Sequence, residues 1–426
     1  MAVRVVVIGA GLAGLTTAYY LQRDGAQVTV VERAAGVGLG ASFANGAMLH
    51  ASLSSPWNSP GILWQLMRWI GREDAPMLLR SRALPQLLGW GLQFLRESSP
   101  HRFEANARKN LRLAIYSLRL MAQIREQTPL NYCYQGRGLL SVFRSRAAQN
   151  ERMGELDLLA SHGLSLRKLD RDQLLNLEPT LAPVSVELVG GIHYAADEGG
   201  DAHAFCMELA RILRAGGAEI RCGANASGFD VAARQVRCLR VGAAGEELAA
   251  DAFVLAAASE SVGLARTAGI DLPVRPVKGY SITLPRRCAP DAAPCIGIED
   301  GQLHAVVVPL GSDRIRVAGT AELAGYDLAI NPRRIENLQR LLARLFPRFA
   351  ERLTPADVTP WAGLRPMCAD GVPLLGATAL RNLWLNTGAG HLGWTLAAGS
   401  ARCVADQIAG RAMQLDPQDY ALNRFG

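Results

Sequence analysis

The sequence predicts a mixed fold: an α/β domain with a parallel sheet, combined with an inserted, mainly antiparallel β-sheet domain. The α/β part is indicated by a strand, a glycine-rich turn, a helix and a second strand that follow one another within residues 3–32. A further helix, glycine stop and strand occur at 202–222. The β part is indicated by segments whose apolar residues alternate with a period of two. These segments are 275–285, 303–310 and 313–322.

The first strand and turn have the pattern of a phosphate-binding loop. Residues 3–8 (VRVVVI) are mostly β-branched, as in a parallel strand covered on both faces. In the turn GAGLAG, Gly9 allows the tight turn, Gly11 the approach of a pyrophosphate, and Gly14 the packing of helix on strand. Glu32 ends the second strand, where an acid accepts hydrogen bonds from ribose hydroxyls. A Rossmann-like dinucleotide site is therefore predicted. Its residues are Gly9, Ala10, Gly11, Leu12, Ala13, Gly14, Glu32 and Arg33.

The way the pattern continues favours FAD over a nicotinamide cofactor. A nicotinamide domain would continue with alternating strands and helices for about another hundred residues, whereas residues 56–130 are predicted to be mostly helical. A buried strand at 250–259 and a last strand in RNLWLNTGAG complete the α/β domain much later. We expect the N–H groups around Gly390–Gly393, at the entrance of a helix, to face the flavin pyrimidine edge, where charge accumulates on reduction.

These segments predict two interleaved domains. The FAD-binding domain is assigned to residues 1–55 with 149–262 and 356–426. The substrate domain is assigned to 56–148 with 263–355, and includes a strand-like segment at 132–143.

Composition excludes several classes of function. The formal net charge is +7, but the basic residues are scattered along the chain, and lysine occurs only at 109, 168 and 278. No basic stripe interleaved with aromatic residues is present, so a nucleic-acid partner is not expected. The eight cysteines include no C-x-x-C pair and no histidine cluster has metal-ligand spacing, so we expect buried thiols in a reducing compartment and no metal.

The sequence gives no sign of secretion or of a membrane-spanning helix. It begins almost directly with a strand, without a charged region or a cleavage site, and no run of about 18 uncharged apolar residues occurs. A cytoplasmic location is expected.

Seven motifs in order resemble the FAD-dependent D-amino acid oxidase superfamily, and most closely its bacterial D-amino acid dehydrogenase group. They are VIGAGLAGLTTAYYL, ASFANGAM, DEGGDAHAF, PVKGYSITLP, RIRVAGTAE, WAGLRPMCADGVPLLG and NTGAGHLGWTLAAGS. The resemblance covers nearly the whole chain. It implies an FAD domain plus a substrate domain, oxidation of an amine carbon by hydride transfer to flavin N5, and a peripheral inner-membrane enzyme that passes electrons to a quinone.

The resemblance also implies further cofactor-binding residues. They are Ser42, Ala44, Asn45, Gly46, Gly363, Gly388, Gly390, His391, Leu392 and Gly393. Some relatives attach FAD through a cysteine that aligns with Gly363, five positions before Cys368. FAD is therefore expected to bind non-covalently.

Four residues are candidates for the catalytic site. Arg365 lies in an otherwise apolar stretch, where a guanidinium would grip a substrate carboxylate; the alternative is an arginine that holds loop carbonyls or the flavin. Lys278 would hold a water near flavin N5, or else lie at a strand end in solvent. Tyr280 would offer a phenol to the pocket, or else pack on a sheet face. His391 would act as a neutral hydrogen-bond partner, or else cap the loop.

Two departures from the family pattern leave the substrate open. Pro309 and Leu310 stand where the family's D-amino acid dehydrogenases carry an arginine, and Ala389 and His391 exchange the family's order of histidine and small residue. In the family both places point toward the substrate. We expect a dehydrogenase acting on a small D-amino acid or a cyclic imino acid of the D-proline or hydroxyproline type. The alternatives are an oxygen-using oxidase of glycine or sarcosine type and the flavin subunit of a hetero-oligomeric dehydrogenase.

Residues 62–95 combine tryptophan, phenylalanine and arginine, a mixture typical of membrane interfaces. Leu63, Leu66, Met67 and Ile70 also fit one buried helical face. The resemblance favours peripheral contact with the inner face of the cell membrane.

Overall fold

The computed structural model describes residues 2–69, 71–155, 163–303 and 305–425. The strands are β1 Arg4–Ile8, β2 Gln27–Val31, β3 Met48–Leu49, β4 Met77–Leu79, β5 Leu139–Phe143, β6 Leu166–Asp170, β7 Gly190–Tyr194, β8 Glu198–Gly199, β9 Glu219–Arg221, β10 Ala226–Ala232, β11 Gln235–Val241, β12 Glu246–Leu248, β13 Ala252–Leu255, β14 Val274–Pro285, β15 Gly297–Asp300, β16 Ala305–Leu310, β17 Arg314–Leu323, β18 Thr359–Cys368, β19 Leu374–Ala377 and β20 Leu383–Thr387. The α-helices are α1 Leu12–Arg23, α2 Ile62–Trp69, α3 Leu84–Arg96, α4 Pro100–Gln127, α5 Arg146–Glu155, α6 Arg171–Leu177, α7 Ala202–Ala215, α8 Ser261–Thr267, α9 Pro332–Leu345, α10 Pro347–Ala350 and α11 Ala397–Ile408.

A six-stranded sheet forms the nucleotide-binding side of the molecule. Its order is β19-β20-β13-β1-β2-β9, and every neighbouring pair is parallel except β19 with β20. β1 lies in the middle because its side chains from Val5 to Ile8 are buried, and such a continuous apolar strand needs cover on both faces.

Helices cover one face of this sheet and a small sheet covers the other. α1, α4, α7 and α11 share a hydrophobic core with alternate residues of β1, such as Val5 and Val7. Val6 and Ile8 belong to a second core on the other face, together with residues of the antiparallel sheet β10-β11-β12. The period of two along β1 therefore divides its side chains between two cores.

A nine-stranded sheet forms the other side of the molecule. Its order is β18-β14-β17-β16-β15-β5-β7-β6, with β4 added beside β17. All neighbouring pairs are antiparallel except β15 with β5 and β17 with β4. One face packs on α9 through a core that includes Ile282, Val317 and Leu338. The prediction of a mixed α/β protein with parallel and antiparallel sheets is confirmed.

Elements from the predicted FAD segments enter this large sheet. β6 and β7 lie within 149–262, and β18 lies within 356–426, yet all three pair with strands of the large sheet. Conversely, α4 lies within 56–148 but packs on α1 and α11. Sequence position does not reveal this exchange, because an apolar strand or helix face fits either core. The strand predicted at 132–143 is shorter and spans only β5.

Candidate active site

A cavity of about 1130 Å³ lies between the two large sheets. The loop after β1, the segment around Ser42–Gly46 and the loop after β20 form one part of its wall. β14, β17 and β18 of the nine-stranded sheet form the other part. The cavity therefore joins the predicted nucleotide loop to the sheet that carries Arg365.

The first loop needs its glycines for steric reasons. Gly9 has φ +107°, and a Cβ there would lie 2.5 Å from the carbonyl oxygen of Ala256, in the turn that follows β13. A Cβ at Gly14 would lie 1.8 Å from the carbonyl oxygen of Gly9. Helix α1 begins at Leu12, whose N–H donates to Ser42 Oγ at 3.2 Å, and its N-terminus is open to the cavity. This arrangement suits an anion held by backbone amides.

Glu32 and Arg33 lie in the wall beside this loop. The Glu32 carboxylate accepts hydrogen bonds of 2.8 Å from the N–H groups of Ala10 and Ala34, which fix its orientation. Arg33 Nη1 lies 3.2 Å from Glu260 Oε1 across the cavity mouth. A carboxylate oxygen has two lone pairs, so Glu32 keeps acceptor capacity for a ribose hydroxyl.

The segment ASFANGAM, residues 41–48, is hydrogen-bonded to the nine-stranded sheet. Ser281 Oγ donates to the Ala44 carbonyl at 2.6 Å, and the buried Arg316 donates to the Asn45 carbonyl at 3.0 Å. Because Ser42, Ala44, Asn45 and Gly46 all line the cavity, these bonds set its width.

The C-terminal glycine loop closes the cavity on the far side. Gly388 and Gly390 have φ +81° and +56°, and Gly390–Leu392 form a short 3₁₀ turn before α11 begins. A Cβ at Gly390 would lie 2.9 Å from Met367 Sδ. The positive φ values therefore favour glycine at both positions.

The residues present fit FAD. The two glycine loops leave a backbone cradle that a Cβ at Gly9 or Gly390 would disturb. The side-chain atoms Trp394 Nε1 and Ser400 Oγ, of residues that line the cavity, have no hydrogen-bond partner among the described residues. The predicted residues Ala10, Gly14 and Leu392 do not line the cavity, because they are buried behind its wall and shape the loops from within. The other predicted cofactor residues do line it.

Arg365 lies on β18 opposite Val277 of β14, and its side chain reaches the cavity. Its guanidinium lies over Gly279, where a Cβ would be 2.0–2.4 Å from Nη1, Cζ and Nη2. Nη1 donates to the Thr320 carbonyl at 3.4 Å, and no acidic side chain among the described residues forms an ion pair with Arg365. Burial lowers the pKa of Arg365 to about 10, so the group remains a cation at neutral pH.

His391 and His50 lie near this arginine as neutral groups. Burial, followed by the charges of His50 and Arg365, lowers the pKa of His391 to about 3. Burial lowers the pKa of His50 to about 4. The His391 ring stacks on Trp57, with centroids 4.9 Å apart and planes 17° apart. At neutral pH His391 is therefore a hydrogen-bonding group and not an acid.

The structure gives Lys278 and Tyr280 other partners. The Lys278 ammonium is buried outside the cavity lining, where it donates to the Ala329 carbonyl at 2.9 Å and lies 3.4 Å from Asp327. The expectation that Lys278 faces the flavin is not met, because its ammonium lies between the carboxylates of Glu322 and Asp327, which stabilise the buried charge. Tyr280 lines the cavity, but its hydroxyl donates to Glu322 at 2.5 Å. Burial, and then this bond, raise the pKa of Tyr280.

Leu310 does not face the substrate space. It is fully buried in a small cluster with Ala47 and Val308, away from the cavity lining. The expectation that an arginine at this position would face the substrate is therefore wrong for this chain. Ala389 and His391, the other departure, both line the cavity.

Sequence reasoning missed three residues of this wall. His50 and Trp57 lie in the segment after β3, which has no regular periodicity, and Thr320 lies in β17. Thr320 has φ +61°, which is strained for a β-branched residue, at a register shift between β14 and β17. This bulge turns the Thr320 carbonyl toward Arg365. A threonine within a predicted strand does not by itself indicate such a bulge.

A glycine-lined loop that opens into a cavity with a half-buried arginine fits a flavin-dependent oxidoreductase. The family model described as FAD dependent oxidoreductase (DAO) matches residues 4–407. The chain belongs to this family of flavoenzymes, and its cofactor is FAD.

Three similar proteins agree with this assignment. A D-amino acid dehydrogenase of Paramagnetospirillum magneticum is 43% identical over 425 residues, which cover 99% of each chain. The crystal structure of glycine oxidase from Geobacillus kaustophilus has a TM-score of 0.75 at 21% identity and covers 99% of both chains. The crystal structure of L-proline dehydrogenase from P. horikoshii has a TM-score of 0.77 at 16% identity and covers 100% of this chain and 98% of that chain. The two structures support the fold alone.

Proposed function

We propose that this enzyme is a D-amino acid dehydrogenase that oxidises the C–N bond of a small D-amino acid or of a cyclic imino acid of D-proline type. The observation that carries the proposal is the Arg365 guanidinium, which faces the cavity without an acidic partner among the described residues. A half-buried cation in such a place is costly unless it meets an anion. The α-carboxylate of an amino acid supplies that anion, and the similarity to D-amino acid dehydrogenases supports the stereochemistry.

The chain's own residues bind and orient the substrate in this proposal. The first glycine loop holds the FAD pyrophosphate, and the mainly antiparallel sheet serves as the substrate domain. When bound, FAD supplies a two-electron acceptor for the hydrogen of the amine carbon. Arg365 donates two parallel hydrogen bonds to the substrate carboxylate. His391, neutral at working pH, offers a ring nitrogen to the substrate without adding charge. Tyr280 keeps its proton, donates a hydrogen bond to Glu322 and shapes the wall.

No carboxylate of the described residues pairs with Arg365 and competes with the substrate. Among the described residues that line the cavity, the acids are Glu32 and Glu260, both beside the first loop. Arg365 instead contacts the Trp57 ring and the Thr320 carbonyl, with His391 stacked on the same indole. This distribution of charge favours a substrate whose carboxylate points to the large sheet and whose amine lies toward the flavin.

We further propose a quinone-type acceptor and peripheral contact with a membrane. α2 and α3 expose apolar side chains, including Trp64 (69% exposed), Leu88 (67%) and Leu92 (71%). Ile62, a buried residue of the same helix α2 as Trp64, lines the cavity, so α2 carries both exposed apolar side chains and a part of the cavity wall. In the part of the chain that the structure describes, no helix is long and apolar enough to cross a bilayer. Partial insertion of such a surface suits a lipophilic acceptor.

Anaerobic bleaching of the bound flavin tests the substrate. The holoenzyme is mixed with D- and L-alanine, D-proline, D-hydroxyproline, glycine and sarcosine, and the loss of flavin absorbance is followed. Fast bleaching by a D-amino or D-imino acid supports the proposal. Bleaching only by glycine or sarcosine, with peroxide formed in air at the rate of quinone reduction, would replace it with the oxidase.

A further inference from the structure

Trp57 contacts both cavity residues that the proposed function assigns to the substrate. The Arg365 Cζ lies 5.3 Å from the centroid of the Trp57 ring, within the range of a cation–π contact. The His391 ring stacks on the same indole at 4.9 Å. Trp57 itself lines the cavity. One aromatic side chain therefore fixes the positions of a cation and of a neutral hydrogen-bonding ring.

The segment around Trp57 is fastened at both of its neighbours. Pro56 packs on the backbone of Gly371, where a Cβ would lie 2.6 Å from Pro56 Cβ. Asn58 is fully buried, and its Nδ2 donates to the Ala369 carbonyl at 3.4 Å. These contacts hold the indole against the segment that follows β18, the strand that carries Arg365.

Gly279 provides the second contact of the guanidinium. A Cβ at this position would lie 2.0–2.4 Å from three guanidinium atoms, so the arginine occupies the space of the missing side chain. Gly279 does not have a positive φ, and it sits within the paired strand β14. An alanine there fits the backbone, and its methyl group displaces only the far end of Arg365.

We infer that Trp57 and Gly279 are positioning residues that together hold the Arg365 guanidinium for a substrate carboxylate. The inference rests on the proposed function, because it takes the α-carboxylate as the ligand of Arg365. Covering the guanidinium by an indole and by backbone leaves its N–H edge as the free hydrogen-bonding surface. A carboxylate binds that edge in two-pronged fashion.

The test uses propionate, a carboxylate without an amine, titrated into the holoenzyme while the flavin absorbance spectrum is recorded. Trp57→Leu and Gly279→Ala are each expected to weaken propionate binding about tenfold or more. Trp57→Phe keeps an aromatic face and should stay within about threefold of the parent. Gly154→Ala, a change of the same size in open space on α5, should leave binding unchanged.

Steady-state kinetics separates positioning from a general structural effect. With the best substrate of the bleaching panel, Trp57→Leu and Gly279→Ala should raise KM about tenfold and change kcat less than about threefold, with FAD content unchanged. If Trp57→Leu fails to bind FAD, Gly279→Ala and Trp57→Phe decide the question.

Arg365→Met distinguishes the two possible failures. If Arg365→Met abolishes propionate binding while Trp57→Leu and Gly279→Ala stay within threefold of the parent, the positioning role is refuted and the proposed function stands. If Arg365→Met itself leaves propionate binding unchanged, the carboxylate is held elsewhere and both fail.

Discussion

Arg365→Met should make the enzyme more stable while it removes most of its activity. Burial lowers the pKa of Arg365 from 12.5 to about 10, which corresponds to a penalty of about 3 kcal/mol on the charged form. The contact with Trp57 and the long bond to the Thr320 carbonyl offset about 1 kcal/mol of this. An apolar side chain of similar length avoids the penalty. The free energy of unfolding should rise by about 1–2 kcal/mol in the absence of substrate.

The same change should weaken recognition of the substrate. Removing one partner of a buried charge-assisted pair costs about 2–5 kcal/mol, which is about 30- to several-thousand-fold in kcat/KM. Arg365→Lys keeps the charge but loses the planar fork, so it should recover only part of this loss. Activity is measured by steady-state kinetics with an artificial electron acceptor, and flavin occupancy by absorbance.

Stability is measured by thermal unfolding of the holoenzyme without substrate. The reasoning is refuted if Arg365→Met keeps kcat/KM within about threefold of the parent, since that is less than 1 kcal/mol. It is also refuted if the melting temperature falls by several degrees, because Arg365 would then be satisfied by contacts within the protein. Loss of activity together with a raised melting temperature is the outcome expected of a residue kept for binding.

Three further predictions concern cofactor binding, the buried carboxyl group of Asp197 and the replacement of Leu310 by arginine. Gly11→Val should abolish FAD binding, seen as a colourless protein, because the side chain would enter the space beside Ser42 that the first loop leaves open. Burial raises the pKa of Asp197 to about 7 in the folded protein, against about 4 in the unfolded chain. The stability that the protonated carboxyl contributes is therefore fully present below pH 4 and lost as the pH rises through 7. Asp197→Asn should accordingly be more stable than the parent above pH 8, by up to about 4 kcal/mol, and equal to it near pH 4; equal stability at pH 8 in chemical denaturation would show that folding does not raise the pKa of Asp197. Leu310→Arg should lower the melting temperature without changing the order of preferred substrates, because it buries an unpaired charge, and an unchanged melting temperature with altered preference would contradict the burial of this site.

The strand, glycine turn and helix at the start of the chain could be predicted from sequence because they form one local unit. Gly9, Gly11 and Glu32 lie within one strand–turn–helix–strand unit, where steric demands on the backbone select glycine and the end of the second strand places the acid. That Arg365 lines the cavity also agrees with the sequence, where it is a lone arginine in an apolar strand.

The surroundings of Arg365 could be predicted only in part, because the residues that form them come from distant segments of the chain. Lys278 and Tyr280 have the alternation of a strand, which says that they share a face but not which partners they meet. Glu322, 42 residues from Tyr280 along the chain, accepts the hydrogen bond of the tyrosine hydroxyl and stabilises the buried charge of Lys278. Trp57 had no periodic pattern, and only the packing of its loop against Gly371 brings it to the arginine.

The sequence by itself determined the glycine turn after the first strand and the mixed sheet classes, because these follow from backbone sterics and from the period of the apolar residues. The tertiary structure alone decided which face of the large sheet meets the cavity. It also decided that β7 and β18 join one sheet, and that Arg365 stands over Gly279 beside Trp57. Those contacts depend on pairing between segments that are far apart in the chain, and the hydrophobic pattern of a strand is satisfied equally well by either core.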